Sequence, residues 1–246
     1  MKVRARTAIR PSPNIWHWPK IYEMENRAQD RDGAVLATIR ELCDWAGRDV
    51  VDVGCGSGFH LPQFAQTARS VTGVEPHPPL TRAAAHRVRD LPTVQVLRGA
   101  GERLPLPDAA ADLVHARTAY FFGPGCEPGI AEAMRVLRPG GALVVVDLDA
   151  TEAPYGRWMC ADLPHYDARR AERFFADAGF GLRRVDTKWV FPDRAALRAV
   201  LGIEFGPVVA ERAFAETAGV VLDVRYRVHT LVKPFGLTPA AAWRPS

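Results

Sequence analysis

The stretch VVDVGCGSG at residues 50–58 and the acid Glu75 in VTGVEP are the parts of this chain whose residue types and spacing can do chemistry. Val50 to Val53 is a β-branched apolar run interrupted by Asp52, and Gly54, Gly56 and Gly58 follow at alternate positions. That pattern predicts a strand, a tight turn and a helix start near Phe59. Glycine admits positive φ and lets a ligand approach the main chain without meeting a Cβ, while the following helix offers N–H groups that have no intrahelical partner. A second strand over Ser70–Glu75 ends in a carboxylate. If the two strands are parallel neighbours, that carboxylate emerges beside the turn and can accept both hydroxyls of a ribose. Taken singly, the glycines read as an ordinary turn and Glu75 as a solvated strand end; their joint spacing points to a nucleoside pocket. A dinucleotide fingerprint, GxGxxG, needs a third glycine where this chain has Phe59, so the spacing argues against NAD.

Two further segments extend the pattern, GAGERLPLPDAAADLVHA at 99–116 and RVLRPGGALVVVD at 135–147. With them the chain resembles the class I S-adenosylmethionine-dependent methyltransferases over about residues 45–150. The resemblance implies S-adenosylmethionine as cofactor. Asp52, Gly54, Gly56 and Gly58 would border its methionine part, with Ser57 in the same loop; Glu75 would bind the ribose, with Pro76 beside it. Gly101 and Glu102 would face the adenine, and Arg117, just after the fourth strand, lies where such enzymes touch both cofactor and substrate. The implied fold is α/β, a Rossmann-like, doubly wound sheet of seven mostly parallel strands with helices on both faces. The implied activity is methyl transfer to O, N or C of a small molecule, with specialised metabolism as the expected setting. The alternative is a methyltransferase-like protein that performs a non-methylating reaction or supports a partner subunit. The first and last thirds match only loosely, and those regions usually determine the substrate in this family.

Composition fits one α/β domain: 246 residues, 48% of them hydrophobic, supply one substantial core and leave little room for a second domain. No apolar run approaches the roughly 20 residues that span a bilayer, and the basic start MKVRARTAIRPSPN lacks the apolar core of a secretory signal, so a cytoplasmic protein is expected. The net charge of +4 comes from dispersed arginines rather than a basic block, which gives no indication of nucleic acid. A small-molecule partner is expected, with a homo-oligomer or partner subunit left open. Cys43, Cys55, Cys126 and Cys160 are scattered and form no CxxC pair, so they read as free thiols; by the resemblance, Cys55 is a small packing residue beside the cofactor. Asp147 and Asp149 follow the fifth strand, but Arg117 and Thr118 stand where a further acid would help hold a cation, so no required metal is expected.

The elements that must position these residues are readable from periodicity. Residues 1–30 form an N-terminal arm, proline-rich and basic at its start, that either closes over the site as a lid or anchors itself by its aromatics. Residues 31–233 form the domain proper, with a helical insertion at about 193–219, and 234–246 form a tail. A helix is predicted from Ala34 to Ala46, strands at 94–97, 112–116, 142–147, 183–191 and 223–232, and helices near 59–68, 79–89, 127–137 and 167–178. Asp193 is the predicted N-cap of the first of two insertion helices. TEAPYGRWMCADLPHY, after Asp147, reads as irregular. Ligands of open α/β sheets sit at the carboxyl ends of the strands. That makes Tyr120, Phe121 and Phe122 in RTAYFFGPGCEPG the leading substrate-pocket residues, together with Trp16 and Tyr22 of the arm. His17, Tyr155 and His165 are candidate bases among which sequence does not choose. His115 reads as a core histidine within a strand, and His77 as a neighbour of the adenosine.

Overall fold

The computed structural model describes residues 12–119 and 123–236. Two short helices, α1 Pro13–His17 and α2 Pro19–Ala28, precede α3 Ala34–Leu42. Then follow β1 Asp49–Val53, α4 Leu61–Ala65, β2 Ser70–Glu75, α5 Pro78–Arg87, β3 Val94–Arg98, β4 Ala111–Arg117, α6 Glu127–Val136 and β5 Leu137–Leu148. The remainder is α7 Tyr155–Asp162, α8 Ala168–Asp177, β6 Gly181–Val190, α9 Arg194–Glu204, α10 Pro207–Glu216 and β7 Val221–Val232. All seven strands lie in one sheet, ordered β3-β2-β1-β4-β5-β7-β6. Pairing is parallel from β3 through β5, and β7 runs antiparallel to both its neighbours.

Alternation along the strands explains the layers. Val50, Val71, Leu113, Val144 and Val146 face one side, where Ile39, Trp45, Phe64 and Ala84 from α3 to α5 close over them. Val51, Val53, Val74, Val114, Ala116 and Val145 face the other side, against Ile130, Ala133 and Val136 of α6 and Phe175 of α8. Covered on both faces, the central strands read as near-continuous apolar runs. Each such valine or leucine contributes roughly 1.5–3 kcal/mol relative to an exposed one.

The predicted strands are all present, and the predicted cap forms: Asp193 accepts from the N–H group of Ala196 at 2.7 Å; Asp167 caps α8 in the same way, accepting from the N–H groups of Arg169 and Arg170 at 2.9 Å. Three expectations are corrected. The helix expected from Ala34 to Ala46 ends at Leu42, because Cys43 is already extended. The helix expected over 59–68 is only Leu61–Ala65, because the chain is still turning at Gly58 and Leu61, whose N–H groups bond Cys55 and Gly58. The passage after Asp147 is not irregular throughout. It contains α7, whose Tyr155, Trp158 and Met159 are buried at i, i+3 and i+4, a helical stripe masked in sequence by Pro154 and Gly156.

Candidate functional site

Register alone assembles the centre of the site. Val53 pairs with Val74 on one side and with Ala116 on the other. One residue further along, Glu75 and Arg117 therefore flank Gly54 at the carboxyl ends of β2, β1 and β4. The chain winds outward in both directions from between β1 and β4, which is the switch point where open sheets bind ligands. A cavity of about 880 Å³ opens there, within the range of small-molecule sites.

The turn after β1 is held against β2 by bonds from Gly54 N and Cys55 N to the Val74 carbonyl, at 2.8 and 3.2 Å. Gly54 and Gly56 both adopt left-handed φ, +70° and +56°, which a side chain would strain. The turn aims the Gly56 N–H at one oxygen of Glu75, 3.0 Å away, while the N–H of His77 bonds the other at 2.9 Å. Glu75 is buried. Burial pushes its pKa up, opposed by these two N–H donors. A carboxylate oxygen accepts about two hydrogen bonds, so each oxygen keeps an acceptor position for a ligand.

Asp52, buried on β1, is tied to His115 of β4, with 2.7 Å between Oδ1 and Nδ1. His115 is thus a satisfied core histidine, as its place within a strand suggested. Arg117 donates to the side-chain carbonyl of Gln29 at 2.8 Å and lies 4.8 Å above the Tyr226 ring. Its Nη1 approaches Nε2 of His60 at 3.4 Å; burial, then the Arg117 charge, keep His60 neutral, able to accept there. The next residue, Thr118, has φ +55°. For a β-branched side chain that is a strained conformation of the kind that gathers at functional sites.

The arm forms one wall of the cavity. Trp16 stacks on His77 with centroids 4.4 Å apart and planes at 11°, and Ser12 through Trp16, Tyr22, Glu25, Asn26 and Gln29 all line the cavity. Tyr155 and Met159 of α7, Ile203 and Glu204 of α9, and Phe205 just after it line it too. Glu25 is buried and Glu204 half-buried. Gln29 donates to Glu25 at 2.6 Å, and Asn14 and Tyr155 donate to Glu204 at 2.6 and 2.5 Å.

Of the residues singled out in the sequence, Asp52, Gly54, Gly56, Ser57, Glu75, Pro76, Gly101, Glu102, Arg117, Trp16, Tyr22 and Tyr155 line the cavity. Three do not. Gly58 faces α5, where a Cβ would sit 3.0 Å from that of Ala84, so it is a packing glycine. His17 is exposed at the end of α1, whose short turn directs Ile15 and Trp16 inward instead. His165 is exposed between α7 and α8. Tyr120, Phe121 and Phe122 lie outside the described residues. Tyr155 does not read as a base, because burial beside Glu204 drives its pKa upward and holds it as a donor. Asp147 and Asp149 engage Arg227 and Arg184 at 3.3 and 3.1 Å.

Sequence reasoning passed over Glu25, Gln29, Glu204 and Tyr226. One signal was available for Glu204, a lone acid inside the apolar run VLGIEFGPVV.

Residues 51–145 match the family described as a methyltransferase domain. The match is to that domain and spans the strands and turns that build the cavity's inner wall. A probable S-adenosylmethionine-dependent methyltransferase of Mycolicibacterium smegmatis is 36% identical over 121 residues, covering 49% of this chain and 45% of that protein. A 37.1 kDa protein of transposon TN4556 from Streptomyces fradiae is 32% identical over 178 residues, 64% of this chain and 51% of the other. The chain thus spans about half the length of these curated relatives. The YcgJ protein of Bacillus subtilis superposes with a TM-score of 0.60 at 16% identity, covering 82% of this chain and 98% of that one, a likeness of fold alone.

S-adenosylmethionine, the cofactor in the Mycolicibacterium smegmatis relative's name, carries two ribose hydroxyls, an adenine and a zwitterionic tail. The donor set fits it: Glu75 has an open acceptor position on each oxygen, and the glycine turn is one that a Cβ would crowd, at 3.0 Å from Ala119 for Gly54 and 2.7 Å from Ile15 for Gly56.

Proposed function

We propose that this protein transfers a methyl group from S-adenosylmethionine to a small molecule held in the cavity at the switch point. The observation that carries the reading is Glu75, a buried carboxylate aimed by two backbone N–H groups so that its remaining acceptor positions face the cavity. In this reading Glu75 binds the ribose hydroxyls, Gly101 and Glu102 border the adenine, and Asp52, the Gly54–Ser57 turn and Arg117 hold the methionine part. When bound, the cofactor supplies an electrophilic methyl group on a sulfonium. What this chain adds is orientation and exclusion of water: the arm, α7 and α9 cover the cavity, and a fixed approach between reacting groups supplies much of the acceleration in a direct displacement. The remaining volume, lined by Ile203, Phe205, Met159 and Leu163, suits a partly apolar acceptor, consistent with a role in specialised metabolism.

Calorimetric titration with S-adenosylmethionine and S-adenosylhomocysteine tests the reading. Saturable uptake of both is the expected result, and no uptake at millimolar concentration overturns it. Uptake with no methylated product from any small-molecule panel would favour a methyltransferase-like protein of other chemistry. Within the same assay, Glu75→Ala removes the ribose acceptor and strands the N–H groups of Gly56 and His77. Affinity is expected to fall roughly ten- to a hundredfold, about 1.5–3 kcal/mol. Glu75→Gln, which keeps one acceptor oxygen, should fall between. Unchanged affinity in Glu75→Ala removes Glu75 from the ribose role.

A further inference from the structure

Five acidic side chains are buried among the described residues: Glu25, Asp52, Glu75, Asp147 and Asp149. Burying a carboxylate is costly unless it is paired or hydrogen-bonded. Asp147 and Asp149 have arginines, Asp52 has a histidine and Glu75 has two main-chain N–H groups. Glu25 differs. One oxygen accepts from the Gln29 amide, and no N–H or O–H donor reaches the other, Oε2. The carboxyl of Glu204, on α9, against which α2 packs, lines the same wall and is the charge that acts most on Glu25.

Two carboxyl groups in contact cannot both ionise without a cation between them, so a proton stays in the pair. The surroundings say where. Glu204 accepts from Asn14 and Tyr155, which favours its charged form, while Glu25 has the orphan oxygen and the stronger upward push from burial and from the Glu204 charge. Glu25 is the partner that keeps the proton, beside Glu204. The titratable and charged groups facing the pair are Tyr22, Tyr155, Tyr226 and Arg117. The three phenols are held neutral by burial, and Arg117 is bonded to the Gln29 carbonyl rather than to either acid. The protein has built an anionic pair on the cavity wall and placed no cation directly against it.

We propose that the missing cation is the acceptor itself, and that the Glu25–Glu204 pair receives the ammonium group of an amine substrate in exchange for its shared proton. This deepens the methyl-transfer reading above and rests on it. Binding releases the Glu25 proton to solvent and leaves two carboxylates around the ammonium. Taking one N–H proton back returns the pair to its resting state and leaves the electrons of that bond on nitrogen, as the lone pair any methylation of it requires. The cofactor's amino-acid tail carries an ammonium too. The pair, however, is positioned by α1, α2, α7 and α9, all outside the 51–145 segment shared with the family, so it is assigned to the acceptor.

The test is calorimetry in buffers of different ionisation enthalpy, which counts protons exchanged. First, S-adenosylhomocysteine is titrated into wild type, Glu25→Gln and Glu204→Gln. Comparable affinity with no proton release is expected in all three. Failure of wild type to bind it sinks the methyl-transfer reading, whereas proton release tied to both acids would assign the pair to the cofactor tail and overturn the acceptor proposal. An amine series from methylamine to 2-phenylethylamine is then titrated into each complex, with the matching alcohols. In wild type the amines should bind at least about tenfold more tightly than the alcohols and release about one proton each. Both variants should lose the preference and the proton. A series in which no amine outbinds its alcohol, or in which the preference survives both substitutions, overturns the proposal. Variants whose thermal midpoints match wild type exclude a folding defect as the cause.

Discussion

Gly56→Val is expected to abolish measurable uptake of S-adenosylhomocysteine while the protein still folds. Position 56 has φ +56°, and a Cβ there would lie 2.7 Å from Cδ1 of Ile15 on α1. An L-residue in the left-handed region costs about 1–2 kcal/mol, more when β-branched. The Ile15 methyl can swing aside, but the left-handed backbone strain is relieved only by moving the turn. Moving the turn takes the Gly56 N–H off Glu75, and the carboxylate then loses the donor that aims it. Affinity should fall by at least about a hundredfold, near 2.7 kcal/mol. Gly219→Ala is the control: its φ is +73° but no atom lies within 4 Å of the added Cβ. It should cost about 1 kcal/mol of stability and leave uptake unchanged. Wild-type affinity in Gly56→Val would mean that the turn does not border the ligand.

Arg227→Met is expected to destabilise the fold by about 3–5 kcal/mol near pH 8, read by urea unfolding. Arg227 on β7 sits opposite Asp147 on β5, 3.3 Å away, with both side chains fully buried; it also bonds the Ala168 carbonyl and the Tyr166 hydroxyl. Even with this cation beside it, burial raises the Asp147 pKa to about 7. Because the folded pKa exceeds the unfolded value near 4, wild type loses this group's contribution as pH rises from about 4 to about 7 and then levels. Without the arginine the folded pKa climbs further, and the variant goes on losing stability above pH 7. The gap between the two proteins should therefore widen above neutrality by up to about 1.4 kcal/mol per pH unit. Asp147→Leu added to Arg227→Met removes the stranded acid and should recover much of the loss. A gap independent of pH from 6 to 9, or a double variant no better than the single one, would show that an unpaired charge is not the cause.

The half of the site at the strand ends was legible because its geometry is local. Alternating glycines state the turn, and parallel neighbours put Glu75 and Arg117 on either side of Gly54 by register alone. Gly58 shares the spacing of the other two glycines but serves helix packing, a distinction set by which side α5 approaches. The other half was not legible. Glu25 in YEMENRA looks like a residue of a solvated helix face, and only the packing of α2 on α9 buries it. Glu204 is distant in sequence, and nothing local connects it to Asn14 or Tyr155. The same holds for α7, whose apolar stripe is too short to announce itself between a proline and a glycine.

The cavity wall divides cleanly along the chain. Everything from Asp52 to Ala119 belongs to the sheet tips and the turns between them, with Leu148 and Tyr226 of β5 and β7 beside them, whereas the facing surface comes from residues 12–29 and from 155–206. The two halves are joined where Trp16 stacks on His77 and where Gln29 and Tyr226 hold Arg117, so substitutions away from these joints need not be compensated across the cavity. If the proposed reading holds, acceptor preference can drift over evolutionary time, or be grafted by exchanging outer helices that keep these joints, without disturbing the grip on the methyl donor.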